Sequence, residues 1–154
     1  SKSFGLAGIR IGWIATKDKP LLSQLASFKN YTTICNSAPS EFLAILALKN
    51  KDKILKRNLE IIQKNIKLLD QFFDKYVTFF KWIRPKASAI AFPRILLNQN
   101  IDDFTVNLLN RKNVLLMPSS KYDYGNKHFR IGFGRKNMPE VLKILEEYIV
   151  ENLK

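Results

Sequence analysis

Cysteine occurs once in this chain, at Cys35, and histidine once, at His128. A single thiol excludes an intramolecular disulfide and fits a reducing compartment. One cysteine and one histidine supply no ligand set of the zinc type, so no metal site is expected. Acidic side chains are scarce, with 13 Asp and Glu against 26 Lys and Arg, a formal charge of +13. No apolar run approaches the ~20 residues that span a bilayer, and no stretch reads as a secretory signal. The expected location is the cytoplasm, with no membrane partner.

What is present suits a folded domain. The 154 residues are 46% apolar, enough for a sizeable core. The basic excess would suit a phosphate backbone, but the lysines are dispersed. Lys49, Lys51, Lys53, Lys56, Arg57, Lys64 and Lys67 share one long amphipathic segment with Asp52, Glu60, Asp70 and Asp74, the pattern of a solvated helix face. Nucleic acid is therefore not an expected partner, and a basic nucleic-acid-binding module stands only as an alternative reading.

Taken in order, Ile9 to Thr16 reads as a short buried strand because it is apolar almost throughout. Pro20 marks the first turn of a helix ending near Asn30. A polar linker, Tyr31 to Pro39, precedes a helix from Glu41 to Lys49 capped by Ser37 or Ser40, whose nearly continuous apolar residues predict burial on most sides. From about Asp52 to Tyr76, Leu55, Leu59, Ile62, Ile66, Leu69 and Phe73 form one helical seam. Then come strands at 79–83, 87–97 and 114–118, a helix between the last two, a strand from His128 to Gly134, and a terminal helix from Pro139. Helices followed by strands and helices mixed in this way predict an α+β fold.

The chemistry is concentrated at the start. Lys2 opens a small-residue loop and Arg10 follows at the strand entrance, with Gly5, Gly8 and Gly12 allowing tight turns and close ligand approach. An amine can condense with an aldehyde, and a guanidinium can fork onto a phosphate. The run Lys2-x-x-Gly5-Leu6-x-Gly8-x-Arg10-Ile11-Gly12 resembles the cofactor-lysine signature of the class I/II aminotransferases, fold-type I enzymes that use pyridoxal phosphate (PLP). The resemblance implies that Lys2 is the catalytic lysine that attaches the cofactor and that Arg10 holds the cofactor phosphate.

A second stretch, His128-Phe129-Arg130-Ile131-Gly132-Phe133-Gly134, resembles the family's late strand, where an arginine grips the substrate carboxylate. Strand alternation puts Phe129, Ile131 and Phe133 on one face and Arg130 on the other, and a guanidinium matches a carboxylate with two parallel hydrogen bonds. Arg135 is a competing candidate that follows the strand, and His128 reads as structural or exposed. Where the family usually has a Pro-Gly turn, this chain has Pro118-Ser119. The resemblance further implies that Tyr31, Thr33 and Asn36 pass near a neighbouring subunit's cofactor, hence a homodimer.

On this resemblance the chain reads as the C-terminal part of an aminotransferase acting on amino-acid and 2-oxo-acid substrates. Residues 1–36 would be a remnant of the large cofactor-binding domain, 37–76 linking helices and 77–154 the small domain, a mainly antiparallel sheet with helices packed on it. The family's partner for the pyridine nitrogen and its ring-stacking aromatic would lie upstream of Ser1, so the piece alone is expected to be inactive. A lyase, decarboxylase or racemase of the same fold would use the same lysine and arginines.

Overall fold

Proline and asparagine punctuate this chain, and the elements follow from them. The structure, a computed structural model, describes residues 1–153 and divides into two units, Ser1–Lys56 and Arg57–Lys154. In the first, a 3-10 turn at Ala7–Ile9 precedes helix α1 (Lys19–Thr32) and helix α2 (Ala38–Lys49). The Asp18 side chain accepts from the Leu21 amide at 2.9 Å, with Pro20 in the first turn, where its missing donor costs nothing. Helix α2 starts at Ala38, ahead of the expected Glu41, with Ser37 at its cap position and Pro39 in its first turn.

Two expectations for this unit fail. Ile9 to Thr16 forms no strand, and Trp13 and Ile14 are 71% and 68% exposed. A strand exists only through its ladder partner, and the described residues offer this stretch none. Helix α2, expected to be buried on most sides, buries only Ala47, and Phe42 is 63% exposed. A helix apolar all round needs neighbours on every side; within its unit α2 packs against the 3-10 turn.

The second unit holds the core. Helix α3 (Lys51–Lys75) carries the expected seam, but burial is concentrated at Ile66, Leu69, Phe72 and Phe73, while Leu59 is exposed. Strand β1 (Phe80–Lys81) pairs antiparallel with β3 (Arg94–Ile95), and β2 (Ile90–Ala91) pairs antiparallel with β5 (Phe129–Gly132). The other edge of β5 takes β4 (Met117–Pro118), giving the order β2-β5-β4. An Arg94–His128 bridge continues the β2–β5 register past Pro93.

The single strand expected over 87–97 is thus split at Phe92-Pro93. The Phe129 amide donates to the Pro93 carbonyl at 3.1 Å, but proline has no N–H to return. Regular pairing over 79–83 and 114–118 likewise contracts to β1 and β4. Helix α4 (Ile101–Lys112) begins where the Asn100 side chain accepts from the Asp102 amide and ends at Asn113, whose φ of 55° is left-handed. Helix α5 (Met138–Asn152) buries Leu142, Leu145, Tyr148 and Ile149.

Aromatic edges tie these elements together. Phe80 meets Phe73, Phe104 and Phe129 edge-on, at 5.7, 6.2 and 5.9 Å between ring centres, and Tyr148 meets Phe104 at 5.7 Å. Each such pair adds about 0.5–1.5 kcal/mol beyond its buried area. Phe129 and Phe133 are fully buried, as the alternation along β5 requires, which leaves Arg130 on the opposite face. The fold is α+β, with small antiparallel sheets under helices. Among the described residues, no helix is long and apolar enough to cross a membrane.

Candidate cofactor and substrate site

Lys2 and Arg10 are joined by a tightly wound loop. The Gly5 amide donates to the Lys2 carbonyl at 3.2 Å, and Gly5 takes a φ of 66° that a side chain would strain. The Ile9 amide closes the 3-10 turn on the Leu6 carbonyl at 3.4 Å. Arg10 then leaves the turn with a left-handed φ of 51°, uncommon for a residue with a side chain. Its Nη1 donates back to the Ala7 carbonyl at 3.4 Å. Lys2 and Arg10 are both exposed, and neither is in an ion pair among the described residues.

The donor set fits pyridoxal phosphate in kind. A lysine amine can hold the aldehyde end, and a guanidinium bound only to a carbonyl keeps a fork for the phosphate. The backbone between and beyond them is open, since a Cβ built on Gly8 or Gly12 would meet nothing within 4 Å. Behind the loop, Phe4, Leu6, Ile9 and Trp13 line a cavity of about 60 Å³ with Ala47 of α2.

Arg130 belongs to the second unit. It sits on β5, paired with Met117 of β4, and its Nη1 donates to the Tyr122 hydroxyl at 3.2 Å. Tyr122 comes from the 3-10 turn Ser119–Tyr122, which follows β4 directly. Ser119, where the family usually has glycine, has no positive φ; the left-handed positions are Asp123 and Gly125. A serine is therefore unstrained there, and its hydroxyl is used. Fully buried, Ser119 Oγ donates to the Gly125 carbonyl at 3.0 Å and accepts from the His128 amide at 3.1 Å.

The competing Arg135 follows β5, is exposed, and contributes its carbonyl to Asn65. His128 is half-buried and stacked on Phe92 at 5.3 Å. Burial, and then the neighbouring Arg94 charge, hold its pKa below the ordinary value. In the first unit, Thr33 and Asn36 are gathered by Lys29, whose Nζ donates to Thr33 Oγ1 at 3.1 Å and Asn36 Oδ1 at 2.8 Å. Tyr31, in the last turn of α1, has 88% of its surface exposed, and Cys35 is exposed and free. Neither Lys29 nor Tyr122 was singled out by sequence. A lysine in a basic chain and a tyrosine in a turn carry no periodic signal.

One unit of the chain thus carries a loop with an amine and a guanidinium, and the other is an α+β unit with an arginine on its central strand. The family model described as aminotransferase class I and II matches residues 1–146, and the chain belongs to that family. It is 27% identical over 133 residues to capreomycidine synthase of Streptomyces vinaceus, and 26% identical over 132 residues to LL-diaminopimelate aminotransferase of Natranaerobius thermophilus. Those matches cover 86% and 85% of this chain but 34% and 33% of the relatives, so the chain spans about a third of their length. A solved PLP-dependent aminotransferase from Streptococcus suis superposes with a TM-score of 0.88 and 29% identity, over 97% of this chain and 40% of that one.

Proposed function

We propose that this chain contributes the cofactor lysine and two anion-binding arginines to a PLP-dependent transaminase, which moves an amino group between an amino acid and a 2-oxo acid. In this reading the enzyme is a cytoplasmic homodimer, with Tyr31, Thr33 and Asn36 near the partner's cofactor. Residues 1–36 belong to its cofactor-binding domain, 37–76 to linking helices and 77–154 to its small domain. The observation that carries the reading is the backbone at Arg10. A left-handed arginine caps the 3-10 turn in the loop that Lys2 opens, and uncommon backbone of this kind tends to persist where it serves a site.

Pyridoxal phosphate, when bound, supplies an electron sink for the bond that breaks at the substrate α-carbon. Lys2 Nζ would hold the cofactor and would carry the proton to and from that carbon. The Arg10 guanidinium forks onto the phosphate. Arg130 orients the substrate carboxylate, which aligns the breaking bond. The chain by itself is inactive in this reading, because it spans about a third of its relatives' length and leaves Lys2 exposed to solvent.

The test is covalent trapping. Treating the protein with PLP and borohydride, then mapping peptides, should place the reduced label on Lys2, and Lys2→Ala should remove it. A label on a different lysine overturns the assignment. The likeness to a synthase, at 27% identity against 26% for the transaminase relative, favours a second reading: another fold-type I reaction such as that of a lyase, decarboxylase or racemase. Product analysis separates the two, since only transamination puts the amino group on an added 2-oxo acid.

A further inference from the structure

The face of β5 that carries Arg130 is furnished for holding a guanidinium still. Register places Met117 directly opposite Arg130 on β4. Phe92, in the segment running beside β5 on the other edge, meets the Tyr122 ring edge-on at 5.9 Å and the Tyr124 ring at 5.7 Å, while His128 stacks on it. Apolar and aromatic groups thus flank the arginine. Among the described residues its one side-chain partner is the Tyr122 hydroxyl, and no carboxylate pairs with it.

The Tyr122 hydroxyl is itself held in place. Its ring leans on Phe92, and the turn bearing it is stitched to β5 through Ser119, whose backbone amide also donates to the His128 carbonyl at 2.8 Å. In the Arg130–Tyr122 bond the guanidinium donates and the phenol oxygen accepts. The phenol hydrogen is left over, and a hydroxyl can donate while it accepts. An anion forked by Arg130 would find that hydrogen beside it.

We propose that Tyr122 is the positioning residue for Arg130: its oxygen sets the guanidinium for a carboxylate, and its hydrogen is a further donor to that carboxylate. The proposal rests on the reading of Arg130 as the carboxylate clamp. A phenol at this place favours a ligand with a compact planar anion beside an apolar surface, which describes a 2-oxo acid or an amino acid better than a phosphate ester.

Tyr122→Phe is the discriminating change, because it keeps the ring on Phe92 and removes only an exposed hydroxyl. The experiment follows the Arg130 guanidinium signals by NMR in the 154-residue chain during titration with pyruvate, against sodium chloride at matched ionic strength. In the unaltered chain, pyruvate should shift those signals saturably and salt should not. In Tyr122→Phe, the half-saturation point should rise roughly three- to tenfold, the scale of one ordinary solvent-exposed hydrogen bond. Backbone amide signals of β5 and the unfolding midpoint should stay unchanged, which a merely structural role for the hydroxyl would not allow. Equal titration of both chains overturns the Tyr122 proposal and leaves the Arg130 reading standing. No response of Arg130 to pyruvate in the unaltered chain overturns that reading and the proposal with it.

Discussion

Asn65 of α3 gives both hydrogens of its amide to the segment that follows the strand carrying Arg130, donating to the Phe133 carbonyl at 2.8 Å and to the Arg135 carbonyl at 2.7 Å. The residue between those carbonyls is Gly134, where a Cβ would lie 3.2 Å from the Ala89 Cβ. The clamp therefore fixes the end of β5 at a point where the backbone must pass close to its neighbour. Asn65 is almost fully buried. Asn65→Leu should lower stability by about 1–3 kcal/mol, the cost of leaving a buried acceptor without a donor. Asn65→Asp should lower it further at neutral pH, because it sets a carboxylate against two carbonyls. Urea unfolding measures both, and a midpoint unchanged in Asn65→Leu would show the clamp to be dispensable.

The two arginines should separate by function in the cofactor-loaded enzyme. Arg10→Lys exchanges a fork for a single ammonium, so cofactor retention should weaken on dialysis. Arg130→Lys should keep the cofactor and lower kcat/KM for amino acids by about two to four powers of ten, matching about 2–5 kcal/mol for a charge-assisted pair to a buried carboxylate. Amines without a carboxylate should react as before. Cofactor loss from Arg130→Lys with normal substrate kinetics would move Arg130 to the phosphate side.

Helices α1 and α2 present Leu21, Leu22, Phe28, Phe42, Ile45 and Leu48 to solvent. Exposed apolar surface on this scale drives association. The chain should self-associate with rising concentration in light scattering, and the pair Phe42→Glu with Ile45→Glu should suppress it. A clean monomer of the unaltered chain at high concentration would count against this.

Acid should loosen the second unit through His128. Burial and Arg94 hold the folded imidazole below its ordinary pKa of 6.5. Between the two values the unfolded chain binds more protons, so stability is full above pH about 6.5 and falls as the pH drops toward the folded value. Thermal unfolding followed from pH about 7.5 to about 5 should show a decline in Tm that His128→Gln reduces. Parallel profiles for the two proteins would assign the acid sensitivity elsewhere.

Much of this fold was legible from periodicity. The seam of α3 and the alternation along β5 each repeat one physical rule over several residues, and burial follows them at Leu69, Phe73, Phe129, Ile131 and Phe133. The α+β class follows from their order. The misreadings arose where a rule depends on a partner that pattern does not show. Apolar residues at 9–16 and 42–48 predict burial only if something covers them. Pro93 interrupts a stretch whose side chains otherwise read as one strand. Asn65 and Tyr122 act through single hydrogen bonds to residues distant in sequence, a relationship no local spacing announces. The lysine loop and the arginine on β5 were found by motif, and their chemistry stands as proposed above.

The position of β5 has a further consequence, for the order of assembly. Among the described residues it is the last strand and the one flanked on both sides, by β2 and β4. During synthesis β4 therefore leaves the ribosome with no strand to pair with, and it waits until Gly132 has followed. Until then β2 and β4 are unpaired edges and Phe80 and Phe104 lack the Phe129 ring they pack on, the state in which nascent chains most need protection. Closing the centre last also makes folding depend on contacts far apart in sequence, which slows it. A ribosome stalled before β5 would carry a chain that chaperones bind, and one stalled beyond α5 would carry a domain they release.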